Sequence, residues 1–208
     1  MRLGISSYTY TWAVGVYGSM PANPLSAYGL LDRASEASVR IVQIADNLPL
    51  EKLTHFELNE LSHYASDKGI SLEMGGRGLI PAHVMECLEA AGIIGSPILR
   101  MVIDREGFEP DLQTIVTIIT DFVPELESRG IKLAIENHDR LKAREFERII
   151  NSVGSDMVGI CLDSVNSMGA GEGFGTVSDI LRPYTINLHI KDCTIRSASH
   201  TMGIMSSG

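Results

Sequence analysis

The 208-residue sequence has little cysteine, little aromatic character and no long apolar segment. Its three cysteines, Cys87, Cys161 and Cys193, lie far apart and form no Cys-x-x-Cys pair. Neither a disulfide framework nor a thiolate zinc site is therefore expected, and all three are interpreted as small apolar core residues. No apolar run approaches the length of about 20 residues that a membrane-spanning helix needs. We predict a protein that does not insert into membranes.

Basic residues are also scarce: Lys and Arg total 17 against 26 Asp and Glu, for a formal net charge of −9. Nucleic-acid-binding proteins usually present a basic surface, so this composition predicts no nucleic-acid partner. The N-terminal residues enter an apolar segment without the pattern of a secretory signal, which predicts a cytoplasmic location. The length suits one hydrophobic core better than two, so we predict a single domain over residues 1–208.

Seven apolar or β-branched segments recur about every 30 residues, with amphipathic stretches between them, which is typical of a βα repeat. They begin near Leu3, Val39, Ile70, Pro97, Ile131, Met157 and Thr185. The second helix is predicted from about Leu50 to Lys68. The fourth presents an apolar face from Leu112 to Leu126, with Gly130 as its C-cap and Pro124 bending it or splitting off its last turn.

Two architectures fit such a repeat, a closed (β/α)₈ barrel and an open doubly wound sheet, and in both the ligands bind at the carboxyl ends of the strands. The first strand is not followed by the Gly-x-Gly-x-x-Gly of a dinucleotide-binding sheet. Gly75-Gly76-Arg77-Gly78 is interpreted as a strand-to-helix turn, the alternative being a backbone that approaches a ligand closely. The barrel is favoured because residues from the fifth, sixth and seventh strands converge most easily on a barrel axis.

Those three strands each end in a hard metal ligand, Glu136, Asp163 and His189 respectively. Two carboxylates and an imidazole form an incomplete shell for a divalent cation such as Mn²⁺, Mg²⁺ or Co²⁺, with coordination positions left for substrate oxygens. The alternative for each residue is that it simply marks a strand end. Three such residues at matching positions favour the metal site.

These segments resemble the sugar phosphate isomerase/epimerase family, whose members are xylose-isomerase-like TIM barrels. The resemblance covers essentially the whole chain and is carried by Ile135-Glu136-Asn137-His138, Leu162-Asp163-Ser164-Val165-Asn166 and His189-Ile190-Lys191-Asp192, with support from Gly4-Ile5-Ser6-Ser7-Tyr8, Val42-Gln43-Ile44-Ala45-Asp46-Asn47 and Leu72-Glu73. It implies a divalent metal, with Zn²⁺ as a further candidate, held by a Glu, an Asp, a His and a second Glu from the eighth strand. Glu136, Asp163 and His189 match the first three ligands, and the second Glu has no counterpart.

The expected fold is therefore a TIM (β/α)₈-type barrel in which about seven βα units are present and the eighth strand is missing. The resulting gap is covered by the segment from Ile195 onward, by a partner subunit, or not at all. Open strand edges favour pairing with another chain, so a homo-oligomer is one expected state.

The resemblance implies an isomerase or epimerase of carbohydrate metabolism, acting on a small sugar or sugar phosphate by proton transfer through an enediolate held by the metal. Glu136 would then be both a ligand and the catalytic base. Two alternatives stay open: a dehydratase of a polyol or inosose-type substrate at the same site, and a non-catalytic shortened family member that binds metal or sugar.

Four further residues are candidate substrate-binding groups: His138, Asn166, Lys191 and Arg196. Alternation along a strand places Lys191 on the same side as His189. The alternative for His138 is that it forms a supporting hydrogen bond and does not contact the substrate. The alternative for Arg196 is that it is an arginine on an exposed loop. The aromatic residues Tyr8, Tyr10 and Trp12 either line the pocket or pack in the core, and the remaining histidines, His55, His63, His83 and His200, are expected to face solvent.

Overall fold

Seven parallel strands form one sheet in chain order in the computed structural model of this protein, which describes residues 2–198 and 201–207, and only the backbone from residue 194 onward. They are β1 Ile5–Ser6, β2 Ile41–Ile44, β3 Ser71–Arg77, β4 Ile98–Val102, β5 Lys132–Glu136, β6 Val158–Asp163 and β7 Thr185–His189. Each begins within two residues of its predicted position. The predicted βα repeat and its strand order are therefore confirmed.

Helices connect the strands and cover the outer face of the sheet. They are α1 Thr11–Val14, α2 Ala27–Glu36, α3 His55–Asp67, α4 Pro81–Ile93, α5 Leu112–Arg129, α6 Ala143–Val153 and α7 Phe174–Leu181. Local chemistry accounts for several helix ends. The Asp111 side chain accepts a hydrogen bond from the Thr114 amide at the start of α5, and Gly130 ends that helix in the left-handed conformation at φ +65°.

Three local predictions need correction. The helix predicted from Leu50 to Lys68 is two pieces, because Thr54 is extended and forms a reciprocal capping box with Glu57 that starts α3 afresh. Of the two outcomes predicted for Pro124, the split last turn is wrong, because α5 continues as one helix to Arg129, and the bend stays a prediction. The predicted turn at residues 75–78 is mostly strand, since β3 runs through Arg77 and only Gly78 has a positive φ, +96°.

The core lies between the outer face of the sheet and the helices. Leu30 and Leu31 of α2, Leu61 of α3, Leu88 of α4 and Ile119 of α5 are all fully buried. Strand β2 is buried at every position, as is β6, so neither alternates between apolar and polar faces in the way a half-exposed strand would. Three polar side chains stand at the carboxyl ends of strands: Glu136 ends β5, Asp163 ends β6 and His189 ends β7.

The sheet curls into an open barrel. Strand β1 pairs with β2 and β7 pairs with β6, and among the described residues no eighth parallel strand joins β1 to β7. The last two strands, β8 Cys193–Ala198 and β9 Thr201–Ser207, pair antiparallel with each other and do not enter the seven-stranded sheet. The fold of the described residues is thus a TIM-type barrel with seven parallel strands, the first six of which are followed by helices, and with two open edges, as expected for a barrel that lacks its eighth strand. None of the described helices is long and apolar enough to cross a membrane.

Candidate metal centre and active site

The carboxyl ends of β5, β6 and β7 bring Glu136, Asp163 and His189 together. Asp163 and His189 are direct partners in the register of β6 and β7. His189 Nδ1 lies 3.6 Å from Glu136 Oε2 and 3.9 Å from Asp163 Oδ2. Both carboxylates are 1% exposed. Parallel pairing therefore gathers three ligand residues that are spread over a segment from Glu136 to His189.

Each carboxylate uses one oxygen for protein hydrogen bonds and turns the other toward His189. Glu136 Oε1 accepts from Asn166 Nδ2 at 2.7 Å, and Asp163 Oδ1 accepts from the amides of Val165 and Asn166, both at 2.9 Å. The other two oxygens, Glu136 Oε2 and Asp163 Oδ2, are buried and accept no hydrogen bond of good geometry, but each lies in an ion pair, with Arg100 Nε and Lys191 Nζ respectively. Two buried carboxylate oxygens turned toward an imidazole nitrogen are a donor set that suits a divalent cation. The residues present fit a metal.

Cys161 also faces this site, contrary to its interpretation as an apolar core residue. One ligand atom each from Glu136, Cys161 and His189 lies within 4.8 Å of the others, a grouping that could hold a metal ion. The signal was available in the sequence, because Cys161 precedes Asp163 by two in the same strand and shares its face. Burial, followed by the charge of Glu136, raises the pKa of the Cys161 thiol well above its usual value, and its Sγ donates to Asn187 Oδ1 at 3.3 Å.

Two cations balance the acidic cluster. Arg100, on β4 and 3% exposed, forms an ion pair with Glu136 through Nε and reaches Asp46 Oδ1 with Nη1 at 3.3 Å. Lys191 places Nζ 2.8 Å from Asp163 Oδ2 and 2.9 Å from Asn166 Oδ1. Sequence reasoning found Lys191 and missed Arg100, whose position inside an apolar strand carries no local signal of its partner.

The pKa of Glu136 is about 2, well below its ordinary value. Burial acts to raise it, but the neighbouring His189 and the charges of Arg100 and Lys191 act in the opposite direction and prevail. Glu136 is therefore fully ionised at neutral pH. An ionised carboxylate of low basicity is a good ligand and a weak base.

A second polar cluster lies beside the first at the ends of β2 and β3. Asp46 accepts from Tyr8 Oη at 2.9 Å and from Arg77 Nε at 3.2 Å, and Arg77 Nη2 lies 3.4 Å from His138 Nε2. Burial lowers the pKa of His138, and the Arg77 charge adds to this although Asp139 opposes it. Burial, then Asp46, raises the pKa of Tyr8 to about 12. Both groups are thus neutral at pH 7 and available as hydrogen-bond donors.

Some of the remaining candidate residues contact the site and others do not. Asn166 and Lys191 contact the site, and His138 lies at its mouth. The side chain of Arg196, and all of His200, lie outside the described residues. Trp12 is 67% exposed and neither packs in the core nor forms a described contact there. His83 does not face solvent as expected: its side chain is 16% exposed and lies 3.6 Å from Cys87 Sγ.

The chain thus forms an open βα barrel with a candidate divalent-metal site at the carboxyl ends of its strands. A profile of the family described as xylose isomerase-like TIM barrel matches residues 31–204. The chain belongs to this family, which confirms the resemblance drawn from the strand-end motifs.

The chain is similar to one curated protein in sequence and to two solved structures in fold. The 3-oxo-isoapionate decarboxylase of Pectobacterium atrosepticum is 29% identical over 208 residues, covering 100% of this chain and 74% of that protein. D-psicose 3-epimerase with D-tagatose from Clostridium cellulolyticum H10 superposes with TM-score 0.75 at 16% identity, over 92% of this chain and 73% of the other. The IOLI protein with a bound zinc atom superposes with TM-score 0.70 at 17% identity, over 97% and 77%.

Proposed function

We propose that this protein is a metal-dependent enzyme that converts a small sugar-derived ketone through an enolate, and that its reaction is the decarboxylation of a 3-oxo sugar acid. The observation that carries the proposal is the site itself: two buried carboxylate oxygens are turned toward His189, and the ammonium of Lys191 forms an ion pair with one of them. The relative that is similar over the whole chain acts, by its name, on a 3-oxo acid.

The metal would be held by Glu136, Asp163 and His189, and Mn²⁺, Mg²⁺ or Co²⁺ suits this mainly oxygen-donor set, with Zn²⁺ as the alternative. A bound divalent cation would supply Lewis acidity at the ketone oxygen of the substrate and stabilise the negative charge that develops there. Side chains of the protein would carry out the remaining steps of the reaction.

Decarboxylation needs no base among these residues. In a 3-oxo acid the bond between the carboxyl carbon and its neighbour breaks, its electron pair moves to the ketone oxygen, and CO₂ leaves. One proton must then be returned to carbon. Lys191, 41% exposed and held at Asp163 and Asn166, is the group we assign to this step. We assign the binding of the substrate carboxylate to Arg77 and the neutral His138, which lie 3.4 Å apart through Nη2 and Nε2.

Isomerisation or epimerisation is the second candidate, and the fold shared with a ketose 3-epimerase favours it. It requires a base to remove the proton next to the ketone, and Glu136 is the residue we assign to that role. The low pKa of Glu136 makes it a weak base. This is the reason for ranking decarboxylation first. A dehydratase would use the same proton abstraction followed by loss of a hydroxyl group.

One experiment separates these reactions. The metal-loaded protein is incubated in D₂O with a 3-oxo sugar acid labelled at the carboxyl carbon, and in parallel with a panel of ketoses and ketose phosphates, and products are read by NMR. Release of labelled CO₂ with deuterium entering the ketone product is expected. Deuterium exchange into a ketose of unchanged carbon number would instead establish the isomerase or epimerase, and no turnover of any substrate by a metal-loaded protein would overturn both.

Metal binding is tested independently by calorimetric titration with Mn²⁺. Asp163→Ala and His189→Ala each remove one ligand, so the affinity should fall at least about tenfold, or 1.4 kcal/mol. Asp121→Ala and His63→Ala, at exposed helix positions, are matched controls that should leave the affinity unchanged. Equal affinity in all four variants would rule out this site.

A further inference from the structure

We infer that Glu73, acting through Gln43, sets the tautomer of His189 so that Nδ1 carries the free lone pair. This positioning role rests on the proposed metal site and extends it to two residues that lie on the opposite side of the barrel, on β2 and β3. Gln43 is 4% exposed and faces the barrel interior. Its amide connects a carboxylate on one side with the imidazole of His189 on the other.

The hydrogen bonds have a fixed direction. Gln43 Nε2 donates to Glu73 Oε2 at 3.2 Å, and an ionised carboxylate can only accept. The NH₂ group of Gln43 must therefore face Glu73, which leaves its carbonyl oxygen facing His189. Gln43 Oε1 lies 2.8 Å from His189 Nε2, and because this oxygen has no hydrogen to give, Nε2 must carry the proton.

The consequence appears on the other edge of the imidazole. With the proton on Nε2, the neutral ring has its lone pair on Nδ1, the atom that faces Glu136 Oε2 and Asp163 Oδ2. A metal ligand needs that lone pair, and a hydrogen bond to the second ring nitrogen is the usual device that keeps it in place. The opposite tautomer would point an N–H at the cation.

A second amide holds Glu73 in position. Asn187 on β7 also donates to Glu73 Oε2, at 3.3 Å, so one carboxylate oxygen accepts from both sides of the open barrel. Gln43 and Glu73 are direct partners in the register of β2 and β3. Because Asn187 and His189 lie two apart on the same strand, Glu73 both orients the amide that contacts His189 and ties down the strand that carries it.

The test compares isosteric variants. Gln43→Met and Glu73→Met keep side-chain length and remove the hydrogen-bonding groups. Glu73→Gln is the matched control, because its carbonyl oxygen can still accept from Gln43 and Asn187. In the metal-free protein labelled with ¹⁵N-histidine, long-range proton–nitrogen NMR identifies the unprotonated ring nitrogen. The resonances of His189 are assigned with His189→Asn, and thermal unfolding checks that each variant folds.

In the wild type and Glu73→Gln, Nδ1 of His189 should be the unprotonated nitrogen. In Gln43→Met and Glu73→Met the proton should redistribute toward Nδ1, and the Mn²⁺ affinity should fall at least about tenfold. An unprotonated Nε2 in the wild type, or unchanged tautomer and affinity in both Met variants, would overturn the inference. If one Met variant does not fold, the other decides. Because the tautomer is read without metal, a wild type that binds no Mn²⁺ refutes the proposed function and still leaves this inference tested.

Discussion

At the scale of single residues, the site is governed by the balance between burial and charge. Glu136 and Arg100 are both almost fully buried, and each would be costly alone. Their ion pair, together with Asp46 and His189, compensates for the desolvation of both groups. Removing one partner of such a pair leaves an uncompensated buried charge, which is more destabilising than the loss of an exposed pair.

Glu136 should make the protein sensitive to acid. Its pKa is about 2 in the folded state against an ordinary value of 4.5, so the unfolded state binds more protons between these values. The contribution of Glu136 to stability is thus complete above pH 4.5 and is lost as the pH falls toward 2. From pH 6 to pH 3, the stability advantage of the wild type over Glu136→Gln should shrink by about 2 kcal/mol.

Urea unfolding of both proteins in EDTA at the two pH values measures this difference. EDTA keeps any bound cation from contributing. An advantage that is constant across the range would show that Glu136 titrates normally in the folded protein.

Lys191 should affect turnover more than metal binding. Its ammonium contacts Asp163 Oδ2 and Asn166 Oδ1 but supplies no ligand atom to a cation. Lys191→Met should lower kcat at least about a hundredfold, the lower end of the usual range for a lost proton donor, while the Mn²⁺ dissociation constant changes by less than about threefold. Steady-state kinetics and calorimetry check the two halves of this prediction. Loss of metal affinity with unchanged kcat would reverse the assignment.

At the scale of secondary-structure elements, close contact between strands controls where the ligands lie. Gly159 on β6 faces β7, and a Cβ at this position would lie 2.9 Å from Tyr184 O and 2.9 Å from Ile186 Cγ2. The backbone carbonyl of Tyr184 cannot move aside as a flexible side chain can. A larger residue at position 159 must therefore push β6 and β7 apart. Asp163 and His189 are partners across this same pair of strands.

Gly159→Ala should therefore lower the unfolding free energy by about 1–3 kcal/mol, the usual cost of overpacking, and weaken Mn²⁺ binding with it. Gly175→Ala is the control, because a Cβ there meets nothing within 4 Å and the residue lies inside α7. That change should raise stability by up to about 1 kcal/mol. Chemical unfolding and calorimetry give both quantities, and a neutral Gly159→Ala would contradict the proposed close contact.

The start of α5 depends on one side chain. Asp111 Oδ1 accepts from the Thr114 amide at 2.8 Å, and Asp111→Ala should cost about 1 kcal/mol because that amide loses its partner. Asp111→Asn retains an acceptor and should cost less. Thermal or urea unfolding of the two variants compares them, and equal losses would show that the charge rather than the acceptor matters.

At the scale of the whole molecule, the described sheet ends in two edges that do not pair. Leu188 on β7 is 37% exposed and Ile190, directly after it, is 80% exposed. A flat edge with apolar side chains is a template for pairing with another chain. The open barrel thus combines a well-packed interior with an apolar surface at one side.

We expect the 208-residue chain to associate through this edge. Ile190→Lys should reduce concentration-dependent association in sedimentation velocity, because a charge at an edge opposes strand pairing. Phe56→Lys replaces another large exposed apolar residue, 73% exposed on α3, and should have no effect. If both variants behave alike, association does not involve the edge of β7.

The local pattern of the chain was enough to predict the repeat of strands and helices and the convergence of Glu136, Asp163 and His189, and the resemblance of the strand-end motifs to a known family predicted the xylose isomerase-like barrel. The end of a strand can be recognised from the residues around it, and parallel pairing places the ends of neighbouring strands at one edge of the sheet. Tertiary structure decided the rest. Gln43 meets His189 across 146 positions, Cys161 turns into the site, and Arg100 finds Glu136, because curling the sheet brings together inward faces whose partners no local pattern specifies.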